Sequence, residues 1–166
     1  MRVAGVDAST KMSGVAIMSD GVLERYLLID LHKEKDAIKR IKMMMIQIAE
    51  ILDMYQLDKV YMEKSICKGG NVDTTQKLSY LAGGIMFYCA QNEIEFVNPL
   101  PSEWRKHVGL RQGSKITRDE LKAEAVCAVK NAYGIDVNND VAEATLLARS
   151  AFDLPKIEIM EDDLLL

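Results

Sequence analysis

Between Leu31 and Glu34 the hydrophobic period of this chain changes, and that change constrains the fold more than any other feature. Before it the text reads as strands. Val3, Ala4 and Val6 form a short apolar run ahead of Asp7, Gly14-Val15-Ala16-Ile17 opens a second run, and residues 23–31 supply a third. Ser19-Asp20-Gly21 separates the last two, and Asp-Gly between alternating runs is a strong hairpin signal. After it, Ile38, Ile41, Met45, Ile48, Leu52 and Tyr55 recur at three and four, which predicts a helix over residues 34–56. The strand-like KVYMEKS of residues 59–65 follows, with Val60 and Met62 on one face and Tyr61 and Glu63 on the other. A strand reached through a helix lies parallel to an earlier strand. Three antiparallel strands and one crossover strand predict a mixed sheet.

The remaining text extends that pattern. Lys68-Gly69-Gly70-Asn71 is a polar loop, and a helix is expected from about Thr74 to Gln91, with Leu78, Leu81, Ala82, Ile85 and Cys89 on one face. Gly83 and Gly84 weaken that helix by roughly 1 kcal/mol each, which predicts close approach of another backbone. Residues 94–97 form a fifth strand, ended by Asn98-Pro99-Leu100-Pro101. Ser102 is expected to cap a short helix carrying Trp104, Lys106 and Val108. Thr117 with Glu120 is a capping box, and its helix stops at Gly134. A last helix runs from near Asn139 towards Pro155. The order β-β-β-α-β-α-β-α-α-α fits a single α/β domain over residues 1–155, with a five-stranded mixed sheet flanked by helices. Residues 156–166 read as an acidic and apolar tail.

Composition removes several classes. No apolar run approaches the ~18 residues of a membrane span, and the N-terminus lacks the apolar core of a signal peptide, which predicts a cytosolic protein. Cys67, Cys89 and Cys127 have no CxxC spacing and there are only two His, so reduced thiols are expected rather than a zinc site. The net charge of −4 argues against a protein that coats nucleic acid indiscriminately. Local basic patches remain compatible with it, because acids gathered at a metal site and at Glu161, Asp162 and Asp163 lower the total.

Four acids stand out by position. Asp7 ends the first strand, Glu63 ends the fourth, and Asp140 and Glu143 lie at i, i+3 on one face of a helix. Each alone reads as a solvated surface group. If the first and fourth strands are parallel neighbours, Asp7 and Glu63 meet at their carboxyl ends, where open α/β sheets place their sites. Four acids gathered there repel unless cations lie between them, and oxygen ligands with few His or Cys suit Mg²⁺ or Mn²⁺. Two such ions roughly 4 Å apart activate a water and stabilise the leaving oxygen in phosphodiester cleavage.

These residues carry a resemblance. DAST…G near the start, a strand ending in MEKS, the stretch NVDTTQKLSYLAGG and finally NDVAEATLLA resemble the RuvC-type Holliday junction resolvases of the RNase H-like superfamily, from about Val3 to Ser150. Short length, high Met content and divergent loops make the chain look more like a phage member than a bacterial one. The resemblance implies an RNase H-like fold, Asp7, Glu63, Asp140 and Glu143 as ligands of two Mg²⁺ or Mn²⁺ ions, and Lys115 as the cation that stabilises charge at the phosphate. Arg105 or Lys106 falls near another basic position that the family uses on DNA. Two departures are visible. The last pair reads Asp-x-x-Glu rather than Asp-x-x-Asp, and the family's junction-wedging aromatic after Glu63 is replaced by Ser65-Ile66-Cys67, leaving Ile66 as a smaller wedge.

The expected reaction is hydrolysis of DNA phosphodiesters at four-way junctions, with a broader taste for branched DNA. Expected phosphate contacts are Lys11, Lys64, Lys68, Lys77, Arg105, Lys106, Arg111, Lys115 and Arg118. Two symmetric nicks call for a C2 homodimer, with the helix around Leu78, Leu81, Ile85 and Met86 either at that interface or packed on the sheet. An RNase H-like nuclease acting on RNA or RNA·DNA hybrids, and a branched-DNA binder that does not cut, are the alternatives. An actin-like kinase needs about twice this length.

Overall fold

The computed structural model describes residues 1–66, 72–113 and 116–159. Its elements are β1 (Arg2–Asp7), β2 (Met12–Ser19), β3 (Val22–Asp30), α1 (Ala37–Asp53), β4 (Lys59–Met62), α2 (Val72–Gln91), β5 (Glu95–Val97), α3 (Pro101–Val108), α4 (Arg118–Tyr133) and α5 (Asn139–Arg149). This is the order expected from the sequence. The sheet runs β3-β2-β1-β4-β5, with β1 antiparallel to β2 and parallel to β4. Asp20 and Gly21 both take positive φ, 48° and 84°, the twist a two-residue hairpin turn requires.

Side chains alternate across β1 and β2. Ala4, Val6, Val15 and Ile17 pack against Met44 and Ile48 of α1 and Leu81 and Ile85 of α2. Gly5 and Gly14 face the other way, onto α5. There the helix lies directly on the sheet: a Cβ on Gly5 would stand 2.0 Å from the Ala144 carbonyl oxygen, and one on Gly14 2.1 Å from that of Asp140. A second apolar cluster joins α3, α4 and α5 through Trp104, Val108, Ala125, Val129, Leu146 and Leu147. Asp7 is two residues beyond Gly5, and Glu63 two beyond Tyr61, the β4 partner of Gly5. Both therefore belong to the α5 side.

Several local expectations change. The fourth strand ends at Met62, so Glu63 is the first residue past it. Helix α1 begins at Ala37 because Asp36 caps it, accepting from the Lys39 N–H at 2.8 Å. Ser102 does not cap α3. Leu100 holds the extended cap position, Pro101 opens the helix, and the Leu100 N–H donates to Glu103 Oε2 at 2.7 Å, an arrangement that suits proline at the first helical position. Thr117 and Glu120 form the expected box at 3.2 and 2.7 Å. Among the described residues, a Cβ on Gly83 meets nothing within 4 Å, and the atoms nearest one on Gly84 belong to the Met45 side chain and not to a neighbouring backbone. The segment expected as a tail starts as packed chain. Ile157 is buried and its N–H donates to the Val108 carbonyl at 2.9 Å; residues 160–166 lie outside the described residues.

Candidate active site

The carboxyl end of β1 opens into a turn locked by two serines. Ser9 Oγ accepts from the Met12 N–H at 3.0 Å and donates to the Met12 carbonyl at 2.5 Å. Ser13 Oγ, fully buried, accepts from the Ser9 N–H and donates back to the Ser9 carbonyl, both at 2.9 Å. Asp7 sits immediately before this turn, opposite Gly14 in the β1–β2 register.

Glu63 is fixed from both sides. Asn98 Nδ2 donates to the Met62 carbonyl at 2.6 Å, and the Lys64 N–H donates to the Pro99 carbonyl at 2.9 Å. The chain leaving β4 is thereby tied to the chain entering α3, and Trp104 of α3 donates its indole N–H to Glu63 Oε2 at 2.7 Å. On α5, Asn138 caps the helix by accepting from the Val141 N–H at 3.0 Å. Asn139 Nδ2 donates to Asp140 Oδ1 at 3.0 Å. One turn on, Glu143 is ion-paired with Arg105 of α3, and both side chains are largely enclosed.

The four acids feel one another. Burial pushes the Asp7 carboxyl well above the ordinary carboxylate range, and the neighbouring charges of Glu143, Glu63 and Asp140 push it further, against the opposing pull of Lys122. Asp140 and Glu143 are raised as well, chiefly by burial; for Glu143 that effect outweighs the Arg105 guanidinium. Among the described residues, no three His, Cys, Asp or Glu side chains are arranged to hold a metal ion as they stand. Glu63 is turned onto Trp104 and Glu143 onto Arg105. A partly enclosed Asp7 facing three further carboxylates is nevertheless an oxygen donor set that suits a hard dication, whose charge offsets the repulsion.

The other expected site residues fall into three groups. Lys11, Lys64, Lys106 and Arg118 are exposed, and Ile66 is 46% exposed three residues past Glu63. Lys77, Arg105 and Arg111 are committed to protein partners: Lys77 to Asp73, Arg105 to Glu143 and Arg111 to Glu124. Arg105 is only 7% exposed, so its guanidinium points into the acid cluster and not out towards solvent. Lys68 and Lys115 lie outside the described residues. Two residues went unnoticed in the sequence. The sequence places Trp104 only on a short helix, and nothing in one dimension tells that its N–H meets Glu63. Lys122, whose field reaches Asp7, Asp140 and Glu143, was legible in principle as the residue one turn beyond Arg118 on the same helix face.

On the expected interface helix, Leu81 and Ile85 belong to the core, with Leu78 half-buried. The outward face of α2 instead carries Val72, Tyr80, Met86 and Phe87, each more than half exposed.

The family described as crossover junction endodeoxyribonuclease RuvC matches residues 3–141 of the chain. Among solved structures, RuvC of T. thermophilus in complex with a Holliday junction substrate superposes with a TM-score of 0.71 at 15% identity, covering 90% of this chain and 91% of that one. A second Thermus thermophilus RuvC structure gives 0.70 at 14% identity, covering 90% and 92%. The Fowlpox virus resolvase, in complex with Holliday junction DNA, gives 0.58 at 17% identity, covering 91% and 96%. No curated protein matches the chain by sequence.

Proposed function

The chain belongs to the crossover junction endodeoxyribonuclease RuvC family, and from that premise we propose that it hydrolyses phosphodiesters of four-way DNA junctions, and of other branched DNA, with divalent metal. The observation that carries the reading is the position of Asp7, partly enclosed at the end of the central strand with Glu63, Asp140 and Glu143 around it. Its carboxyl is raised by burial and by three further acids from two other elements, a costly arrangement for a fold that does not use it. Asp7, Glu63, Asp140 and Glu143 would hold two Mg²⁺ or Mn²⁺ ions. Bound there, such ions activate water and neutralise charge on the leaving oxygen.

The chain's own residues do the rest. Asp7, on the central strand, fixes the position of the site, while Asp140 and Glu143 reach it from a helix whose backbone touches the sheet. Lys122 brings positive charge to the same side, where the phosphate acquires negative charge during cleavage, and Lys115 would stabilise that charge as the family resemblance implies. Lys11, Lys64, Lys106 and Arg118 would contact flanking phosphates, so affinity for DNA falls steeply with salt. Ile66 would press into the opened junction. The products carry 5′-phosphate and 3′-hydroxyl ends, and the work is cytoplasmic, in the host if the chain is phage-encoded.

Two nicks at one junction need two such sites, which a C2 dimer supplies. Val72, Tyr80 and Phe87 recur on one stripe of α2, and among the described residues a Cβ on Gly83 between them would meet nothing within 4 Å. An apolar stripe with a flat centre is suited to an identical helix across a twofold axis. Phe87→Glu should give a monomer by sedimentation; an unchanged dimer moves the interface elsewhere.

The decisive test is Asp7→Asn on a synthetic four-way junction with Mg²⁺. Retained binding with lost cutting supports the reading, and cutting at the wild-type rate removes it. Competition among junction, flap, duplex and RNA·DNA hybrid separates junction cleavage from activity on hybrids.

A further inference from the structure

Helix α3 supplies none of the four acids, yet two consecutive residues on it each grip one. Trp104 donates its indole N–H to Glu63 Oε2 at 2.7 Å, and Arg105 pairs with Glu143. Consecutive side chains on an α-helix diverge by about 100°, so the pair reaches two carboxylates that come from different elements, one following β4 and one on α5. The grip is stiff. Trp104 is 1% exposed and Arg105 7%. The guanidinium lies 4.7 Å from the centroid of the Trp104 ring, and its Nη1 reaches the Leu121 carbonyl of α4 at 3.5 Å.

The helix itself is pinned at both ends. Pro101 and the Glu103–Leu100 hydrogen bond fix its start. At its end Gly109 takes φ 96°, and a Cβ there would stand 2.9 Å from Lys156 Cβ and 3.0 Å from the Ile157 carbonyl. The side-chain length at position 143 also matters. Where the family pattern has aspartate, this chain has glutamate, and aspartate would stop one methylene short of Arg105.

We propose that Trp104 and Arg105 are positioning residues that set where Glu63 and Glu143 stand around Asp7, and through them the affinity of the site for a divalent ion. The inference rests on the nuclease reading above and adds to it a control on metal affinity exerted from a helix without metal ligands. Groups that orient metal ligands commonly change affinity 10–100-fold when removed.

Two conservative variants of the full chain test it. Trp104→Phe keeps an aromatic ring in the core, though a smaller one, and removes the N–H donor; Arg105→Lys keeps the charge and removes the planar fork. Calorimetric titration with Mn²⁺ should show affinity weakened by about 10-fold in each. Junction binding in Ca²⁺ should stay within about twofold of wild type while kcat falls, a split that a loss of folding would not produce. Mn²⁺ affinity within about twofold of wild type in the folded variants overturns the proposal.

A measurement on the unaltered protein guards against a variant that fails to fold. Trp104 is the single tryptophan, so its emission reports on the indole hydrogen bond to Glu63. Titration with Ca²⁺ should give a saturable change in emission that Glu63→Gln abolishes. Emission indifferent to Ca²⁺ overturns the proposal. Asp7→Asn separates the two readings: if it cuts normally, the nuclease assignment fails, whereas if it is inactive while the α3 variants bind Mn²⁺ like wild type, only the positioning role fails.

Discussion

Gly14 of β2 and Asp140 of α5 are in main-chain contact: a Cβ added to Gly14 would fall 2.1 Å from the Asp140 carbonyl oxygen and 2.7 Å from the Val141 nitrogen. Gly14 is also the cross-strand partner of Asp7. The absence of one methyl group thus lets two acids, far apart in the chain, share one corner of the molecule. Gly14→Ala forces α5 off the sheet, with no flexible side chain to absorb the strain. The expected cost is about 3 kcal/mol or more, at the upper end of overpacking. Thermal melting should fall by roughly 6 °C or more for a chain of this size, and residual folded protein should have lost cleavage. A melting temperature within about 1 °C of wild type would contradict the contact.

Stability without divalent ions should depend on pH in an unusual direction. Asp7, Asp140 and Glu143 all hold their protons to higher pH in the folded chain than in the unfolded one. From the ordinary carboxylate range up to those raised values, the folded state binds more protons, so stability falls as pH rises. In chelator the protein should melt lower at about pH 8 than at about pH 5.5. Asp7→Asn should flatten that slope and raise melting at about pH 8 by roughly 2–4 °C, near 1 kcal/mol. Calorimetric scans of both proteins across pH decide it.

Arg111 is better explained by folding than by DNA. Its N–H and Nε donate to Glu124 Oε1 at 3.0 and 3.1 Å, and the Glu124 side chain is 2% exposed. Removing the guanidinium leaves an enclosed carboxylate short of a partner. Because Arg111 itself is half exposed, the cost should be about 2 kcal/mol, below the 3–5 kcal/mol of a fully buried pair. Arg111→Ala should show this in urea unfolding, and adding Glu124→Gln should restore most of the loss. If Arg111→Ala leaves stability unchanged and weakens only DNA binding, its role is at the phosphate after all.

Cys89 is closed to reagents while the chain is folded. It is fully buried on α2, and burial pushes its thiol up to about 11, so almost no thiolate exists at about pH 8. Alkylation with iodoacetamide followed by peptide mass spectrometry should find Cys89 unmodified in native protein and modified in denaturant. Rapid native labelling would show that α2 lifts from the sheet far more readily than its packing implies.

Much of this architecture could be read from the chain, and the exceptions share a cause. Asp20-Gly21, the Thr117–Glu120 box and the change of period after Leu31 are local signals, and each produced the element expected. The four acids were legible because strand ends and i, i+3 spacing are local too, and the crossover rule supplied the pairing of β1 with β4. What the text could not carry was orientation between elements. Arg105 looks like any surface cation until α3 is laid against α5, and Leu81 and Ile85 take the sheet while Tyr80 and Phe87 take the outside. Ser102 is a favourable cap by residue type, but Pro101 had already fixed where the helix begins.

Gly5 and Gly14 leave α5 resting on bare backbone along two strands. Main chain against main chain is a hard stop, because peptide groups have no alternative rotamer and cannot be exchanged for a bulkier or smaller residue. The depth at which Asp140 and Glu143 arrive is therefore insulated from the aliphatic residues that fill the rest of the interior. A methyl group at either glycine would therefore displace both acids together, however well the rest of the interior is filled.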